Sequence, residues 1–370
     1  MRQIGDPIAD PLVADYCARQ PGDVAPLLGR LFRAAGLPEE HPLVSRYLQA
    51  LAPVELGDRR AIERGQLVFE LFGPEVLLIL GSYALPLAYA AGHGVQVVYR
   101  ARRLKEDPVR RLCDTAQMVI NVMQPGQLEP GGIGWRSTRK VRLIHALVRA
   151  HVLADPQAPW ASAWGTPINQ EDQAGTLLSF SAAVLQGLRK MGAKLSREDA
   201  DAYVLAWAAI GRLLGVDDAL LPASEADAAT LARTIGGRQI RPTAEGKELN
   251  DQLLRAVGTL FPVQGYAVSL THFFLDDSVF GPDVARALQL PQPNWTRWLV
   301  WARAHQKRVV LGLLNRVPGA RWRRSEIAKR FAQAMILLRR PDAHVPFEVP
   351  RRWISRWRMR GPDPAIDLSP

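Results

Sequence analysis

The chain has 370 residues, of which 48% are hydrophobic and 22% are charged, and its formal net charge is +11. This composition is that of a folded protein with a large core, and it excludes a chain that is disordered throughout. Its two cysteines, Cys17 and Cys113, lie outside any paired-cysteine motif. A disulfide framework is therefore excluded as the source of stability, which fits a reducing compartment.

The N-terminal part of the chain has the pattern of short helices separated by proline and glycine, without residues that suggest chemistry. Residues 1–7 contain an early acid and no apolar run, so no secretory signal is visible and we expect a cytoplasmic protein. Residues 76–91 carry no charge and are interrupted by Gly81 and Pro86. This stretch is too short for a membrane span, and we predict a buried helix pair that lines an apolar pocket.

A helix is predicted to begin at Pro108, because proline is favoured at the first helical position. On this helix Arg111 and Thr115 are four residues apart and share a face, with Asp114 beside them. A glycine-rich loop over residues 124–134 follows. It lacks the preceding strand and the full spacing of a nucleotide-binding loop, so phosphate binding is not predicted.

The residues from Ser137 to Ala154 contain no proline or glycine and predict one helix. On it Arg142, His145 and Arg149 have the spacing i, i+3, i+7 and share a face. A neutral imidazole can ligate iron, a guanidinium can bind a carboxylate through two bonds, and a haem presents one iron and two propionates. The alternative is a histidine that is satisfied in the core, flanked by two surface arginines.

Asn169 is predicted to begin the next helix, which runs to about Met191 and ends at Gly192. Thr176 and Phe180 lie on the face of this helix that we expect to meet a cofactor or the His145 helix. Further helices are predicted over residues 196–215, 224–235 and 243–259. No convincing alternating strand pattern occurs, so the predicted class is all-α.

Several motifs together resemble the latex clearing protein and MpaB-type oxygenase family. They are Lys140-Val-Arg-Leu-Ile-His145-Ala-Leu-Val-Arg149, Trp164-Gly-Thr-Pro-Ile-Asn-Gln-Glu-Asp172, Gly175-Thr176 and Phe180. The similarity covers roughly residues 65–260. It implies a single multi-helix domain with a globin-like core around a b-type haem and extra peripheral helices. The best-known members cleave double bonds of isoprenoid chains with dioxygen.

The resemblance also implies roles for individual residues. His145 would be the proximal ligand of the haem iron, and Arg142 and Arg149 would anchor the propionates or hold the ligand helix. Thr176 would lie at the cofactor. Arg111, Asp114 and Thr115 would shape the distal pocket, where dioxygen meets the substrate.

Two departures from the family concern this distal pocket. The latex enzymes have a lysine next to the distal threonine, where this chain has Asp114, and they use a glutamate shortly before this motif as a base. Residues 76–105 contain no carboxylate. Asp114 is the nearest candidate for a base, because a carboxylate beside the substrate can accept a proton. The alternative is a structural ion pair between Asp114 and Arg110 or Arg111.

The net positive charge lies in the C-terminal segment, where residues 295–361 contain 17 Lys and Arg against three acids and six of the ten tryptophans. Three explanations remain open. In the first, the arginines are solvated on the surface of a helical cap while the tryptophans pack inward. In the second, the segment docks on an anionic membrane surface. In the third, it binds nucleic acid, although no recognition motif supports this explanation.

The predicted organisation is an N-terminal helical extension over residues 1–64, a haem-binding oxygenase core over 65–262, and a basic helical segment over 263–370 that packs on the core. The predicted function is oxidation or oxidative cleavage of a carbon–carbon double bond in an apolar, isoprenoid-type substrate, with haem b and dioxygen. We expect this activity in the cytoplasm, or at the inner membrane surface. Two alternatives are a haem protein with a peroxidase-like, electron-transfer or gas-sensing role, and a haem-free helical protein that docks on membranes or acidic partners.

Overall fold

The computed structural model describes residues 1–19, 41–51, 53–101, 108–261 and 263–314, with their side chains except at 101, 108–113 and 311–314. Within these ranges the chain is helical, and the β pairing is limited to an isolated bridge between Ala91 and Ile240. The predicted all-α class is confirmed.

The helices, in chain order, are α1 (Ala9–Arg19), α2 (Pro42–Ala50), α3 (Arg59–Ile79), α4 (Leu85–Ala90), α5 (Val95–Ala101), α6 (Pro108–Val122), α7 (Ile133–Ala154), α8 (Gln170–Phe180), α9 (Ala182–Lys190), α10 (Arg197–Leu214), α11 (Glu225–Gln239), α12 (Ala244–Gly258), α13 (Tyr266–Leu275), α14 (Val284–Ala287) and α15 (Thr296–Leu314). A π-helical segment, Leu80–Ala84, joins α3 to α4, and short 3₁₀ turns occupy Ser162–Trp164 and Asp218–Leu220.

The core is built on the pair α3 and α10, which contact each other more extensively than any other described pair of helices. Helix α10 begins where its capping serine, Ser196, accepts a hydrogen bond from the Asp199 backbone N–H at 3.0 Å, and it ends at Gly215 in the left-handed conformation. Both predicted ends are confirmed. The two helices approach closely at Gly65, where an added Cβ would lie 2.2 Å from the carbonyl oxygen of Ala202.

The uncharged stretch at residues 76–91 is one continuous helical path, so the predicted break into a helix pair is wrong. A π turn at Leu80–Ala84, closed by a bond from the Leu85 N–H to the Leu80 carbonyl, passes directly into α4. Pro86 then lies in the first turn of α4, where a missing N–H is tolerated. Of the described helices, the combined stretch Arg59–Ala90 is long and apolar enough to cross a membrane, but 61% of its most apolar window is buried within the fold.

The predicted helix from Asn169 to Gly192 is two helices. Asn169 caps α8 as predicted, and Gly192, with φ of +92°, follows the end of α9. Between them Ser181 leaves helical geometry, with φ of −108° and ψ of −77°, and its hydroxyl donates to the Leu177 carbonyl at 2.9 Å. Serine that bonds back to the preceding turn bends a helix, and this bend separates the polar start of α8 from the apolar α9.

The described residues share one helical fold. Phe273 and Phe274 of α13 belong to the same apolar core as Val68 of α3, so the part of the C-terminal segment that is described packs on the core. The N-terminal helices form a second apolar cluster with α7, in which Tyr47 packs near Leu147. The division at residues 64 and 262 remains a prediction.

The close approach of α3 and α10 predicts the effect of Gly65→Ala. The new methyl group has no room against a backbone carbonyl, so we expect the free energy of unfolding to fall by about 1–3 kcal/mol. Gly237, on the exposed side of α11, has no atom within 4 Å of an added Cβ. Gly237→Ala should therefore stabilise the protein by about 0.5–1 kcal/mol through helix propensity. Urea unfolding measures the stability of both variants. Equal unfolding midpoints for the two variants would contradict the close packing of α3 against α10 at Gly65.

Candidate functional site

The candidate ligand, His145, lies on α7, which begins at Ile133, four residues before the predicted start, and ends at Ala154 as predicted. The residue is half-buried, and its Nδ1 atom is shielded from solvent with no hydrogen-bond partner. Burial and the neighbouring Arg149 charge lower the pKa of His145 to about 4, although a hydrogen bond with Gln173 acts in the opposite direction. The imidazole is therefore neutral at neutral pH, which is the form that ligates metals.

Arg142, one turn before His145, is buried and forms a two-pronged ion pair with Asp6. Its Nε and Nη2 donate to the two carboxylate oxygens at 2.5 and 2.9 Å. Burial alone would raise the pKa of Asp6, but the guanidinium holds it below its usual value. The same carboxylate accepts from the backbone N–H groups of Ile8 and Ala9 and so caps α1. Asp6 thus joins the start of α1 to the middle of α7.

Arg149, one turn after His145, is also buried. Its guanidinium donates to the carbonyl oxygens of Pro167 at 2.7 Å and Ile168 at 2.8 Å, and it forms an ion pair with Asp10. Ile168 has φ of +50°, which is a strained conformation for a β-branched residue. The arginine therefore holds the strained turn that leads from α7 into α8.

The guanidinium groups of the two arginines bind protein groups, so in this structure they hold α7 against the N-terminal residues and the turn before α8. Of the two roles that the sequence suggested, anchoring propionates or holding the ligand helix, these contacts fit the second. The residues that make this possible, Asp6 and Asp10, were not singled out from the sequence. Their partners are 136 and 139 residues away, and no local pattern indicates the pairing.

Residues 1–10, which we call the N-terminal arm, also contact the start of α8. The Arg2 carbonyl accepts from the Thr166 N–H at 2.8 Å, and the Ile4 carbonyl accepts from the Gln170 N–H at 3.0 Å. The Arg2 guanidinium donates to Asp172 at 2.8 Å. Asp172 therefore supports the arm and itself accepts a hydrogen bond from the Asn169 side chain at 2.7 Å. The arm bridges α7 and α8.

Helix α8 supplies the contact with His145 through Gln173, which the sequence analysis missed. Gln173, Thr176 and Phe180 have the spacing i, i+3, i+7, and this repeat of the α7 pattern is the signal that could have identified Gln173. Thr176 is exposed, and its hydroxyl donates to the Asp172 carbonyl at 2.9 Å. The Phe180 ring stacks on Trp207 with a centroid distance of 5.1 Å. Thr176 thus lies one turn beyond the residue that touches His145.

The predicted distal residues lie on α6, which begins at Pro108 as predicted. Asp114 and Thr115 are half-buried, and the side chain of Arg111 lies outside the described residues. Helix α6 is joined to α7 by a hydrogen bond from Asn121 Nδ2 to the Ser137 hydroxyl at 2.9 Å. The roles of Arg111, Asp114 and Thr115 remain predictions.

Residues 65–309 match the family described as "ER-bound oxygenase mpaB/B'/Rubber oxygenase, catalytic domain". The chain belongs to this family. The match includes α6, α7 and α8, and it continues to residue 309, well beyond the limit near residue 260 expected from the motifs. Membership confirms the predicted resemblance.

Two individual comparisons agree with the family assignment. The rubber oxygenase of Streptomyces sp. (strain K30) is 28% identical over 207 residues, which are 55% of this chain and 50% of that protein. The chain thus matches about half the length of this curated relative. The structure of latex clearing protein LCP in the closed state superposes with a TM-score of 0.67 at 24% identity, covering 90% of this chain and 91% of that chain. The fold is therefore shared almost throughout.

The buried pair Asp6–Arg142 predicts a large effect for Asp6→Asn. The amide retains an oxygen that caps α1, but the charge of Arg142 stays buried without compensation, so the free energy of unfolding should fall by about 3–5 kcal/mol. Asp15→Asn is the matched control on the same helix, because its partners Arg19 and Arg46 are exposed. It should change stability little. Urea unfolding measures the stability of both variants. Similar losses in the free energy of unfolding would show that the buried Asp6–Arg142 pair contributes no more than an exposed ion pair.

Proposed function

We propose that this chain is a haem-b-dependent oxygenase that oxidises or cleaves a carbon–carbon double bond of an apolar, isoprenoid-type substrate with dioxygen. Membership of an oxygenase family supports the reaction class. The name of the Streptomyces relative, rubber oxygenase, supports an apolar polymer or a related molecule as the substrate class. The single observation that carries the assignment to haem is the neutral His145, whose shielded Nδ1 has no protein partner.

The residues around His145 fit a haem ligand. A ligand histidine must be neutral and held in one orientation, usually by a hydrogen bond from a neighbour. Burial keeps His145 neutral, and Gln173 of α8 provides a hydrogen bond. Arg142 and Arg149 fix the helix on both sides of the ligand through Asp6, Asp10 and the turn before α8. The bound haem would supply the iron at which dioxygen is activated.

On the substrate side, we assign the pocket wall to Arg111, Asp114 and Thr115, with Thr176 of α8 at the cofactor. Asp114 occupies the position where the latex enzymes have a lysine. Its carboxylate oxygen would accept the proton that the substrate loses beside its double bond, which is the task of a general base. Thr115, the next residue on α6, is half-buried and would narrow the space beside the reacting carbon.

A reducing, cytoplasmic location remains part of the proposal. The two cysteines, Cys17 and Cys113, lie outside any paired-cysteine motif, and a chain without a disulfide framework suits such a compartment.

The first test is the absorption spectrum of the haem-supplemented protein. The wild type should show a stoichiometric Soret band, and His145→Ala should lose it or shift it strongly, because the iron loses its nitrogen ligand. His151→Ala is the matched control, since His151 lies on the same helix and is also half-buried. It should leave the band unchanged. Absence of haem from the wild type, or identical spectra for both variants, would refute the haem assignment and favour the haem-free docking alternative.

The second test concerns the proposed base. Asp114→Asn should retain the Soret band but lower dioxygen consumption with an alkene substrate by about 10²–10⁴-fold, the usual contribution of a general base. Glu129→Gln, in the exposed loop between α6 and α7, is the control and should leave the rate unchanged. A rate within a few-fold of wild type in Asp114→Asn would assign the carboxylate to a structural ion pair. Haem without alkene-dependent dioxygen uptake would favour the peroxidase-like, electron-transfer or gas-sensing alternative.

A further inference from the structure

Helix α15 contacts the rest of the fold along one narrow face. Thr296, Val300 and Ala304 are buried against the core, and the Thr296 hydroxyl lies 2.7 Å from that of Ser269 on α13. Further along, Lys307 forms an ion pair with Glu75 of α3 at 3.0 Å. These contacts lie near both ends of the part of α15 whose side chains are described. They therefore fix which face of the helix points away from the core.

The outward face of α15 carries large apolar side chains, which an ordinary surface helix keeps on its buried face. Trp298, Ala302, His305 and Val309 are exposed and form a stripe with the spacing i, i+4, i+7, i+11. Trp301 lies beside this stripe on the helix, and Trp295 is the residue before α15 begins. The exposed fractions of the three tryptophans are 60% for Trp295, 65% for Trp298 and 56% for Trp301.

The expectation that the tryptophans pack inward is therefore wrong for these three residues, and Trp322, Trp353 and Trp357 lie outside the described residues. Trp301 packs edge-on against Phe273 with a centroid distance of 5.4 Å, but more than half of its surface is still exposed. Isolated apolar residues on a surface need no explanation, whereas a group of exposed indole rings marks an interaction site.

The charges on α15 define what this face can meet. Helix α15 contains four basic residues, Arg297, Arg303, Lys307 and Arg308, and no acid. The Arg297 guanidinium lies 5.1 Å from the centre of the Trp298 ring, so positive charge and indole occupy the same part of the surface. Indole rings locate at the boundary between lipid headgroups and acyl chains, and arginines beside them bind anionic headgroups.

We propose that the outward face of α15, defined by Trp295, Trp298, Trp301 and Val309 with Arg297 and Arg303, docks the protein on an anionic lipid surface. This inference does not depend on the haem assignment. The helix lies along the membrane surface with its tryptophans at the headgroup level, and the arginines at its sides bind the lipid phosphates and carboxylates. Contact with a bilayer would also bring the protein to a phase in which apolar molecules dissolve.

The test is co-flotation of the full-length protein with vesicles of phosphatidylcholine alone or with 30% phosphatidylserine, read out by bound fraction and by the blue shift of tryptophan emission. The phosphatidylserine gives the vesicles the negative surface potential of an anionic leaflet. The wild type should bind the anionic vesicles, bind the neutral ones weakly, and be released by salt.

Three variants separate the contributions to vesicle binding. Trp295→Gln with Trp298→Gln should lower the affinity by about tenfold or more, because two interfacial rings are lost. Arg297→Gln and Arg303→Gln should each lower it by about fivefold, on anionic vesicles only. Leu67→Gln, at a leucine that is 48% exposed on α3, is the control and should bind like the wild type. Circular dichroism verifies that all variants fold.

Four results would overturn the proposal. The first two are that the wild type does not bind anionic vesicles, or that the double tryptophan variant binds them as tightly as the wild type. The third is a dimer in sedimentation analysis that the same variant abolishes, which would assign the face to a second copy of the chain. The fourth is tighter binding to RNA or DNA than to vesicles through the same residues, which would assign the face to nucleic acid.

Discussion

The structure of the candidate site depends on how two buried positive charges are compensated. Arg142 and Arg149 lie on either side of His145, and both are almost fully removed from water. A buried guanidinium is tolerated when it is paired and hydrogen-bonded. The fold meets this need by bringing Asp6 and Asp10 of the N-terminal arm, with the carbonyls of Pro167 and Ile168, against α7. The arm, the ligand helix and the start of α8 are therefore one interdependent unit.

This arrangement also explains the chemistry available at His145. The imidazole shares its helix face with two cations and its Nδ1 atom is shielded from water, and both conditions disfavour a third positive charge. The histidine therefore stays neutral over the physiological pH range and can act as a ligand. Because Arg142 and Arg149 are engaged with carboxylates and carbonyls, their contribution is to fix the position of the helix. Gln173 then provides a direct contact from α8.

The way α15 packs on the core explains why its tryptophans are exposed. The core around α3 and α10 is apolar and closely packed, and α15 lies on it through a face of small and aliphatic residues. That narrow contact leaves the tryptophans of α15 on the outside, next to its basic side chains. An apolar surface with positive charge at its edges is what the proposed contact with an anionic lipid surface requires.

The sequence by itself determined the elements whose signals are local. Asn169 and Ser196 begin their helices and Gly215 ends one through bonds to their own neighbours, so helix class and most helix limits were predictable. The motifs around His145 and Asn169 made the family predictable. The tertiary structure decided the rest. The π turn before Pro86 and the bend at Ser181 were not visible in the spacing of apolar residues. The pairing of Asp6 with Arg142 joins residues that only the folded chain brings together, because charge pairing between distant segments leaves no periodic trace in a sequence.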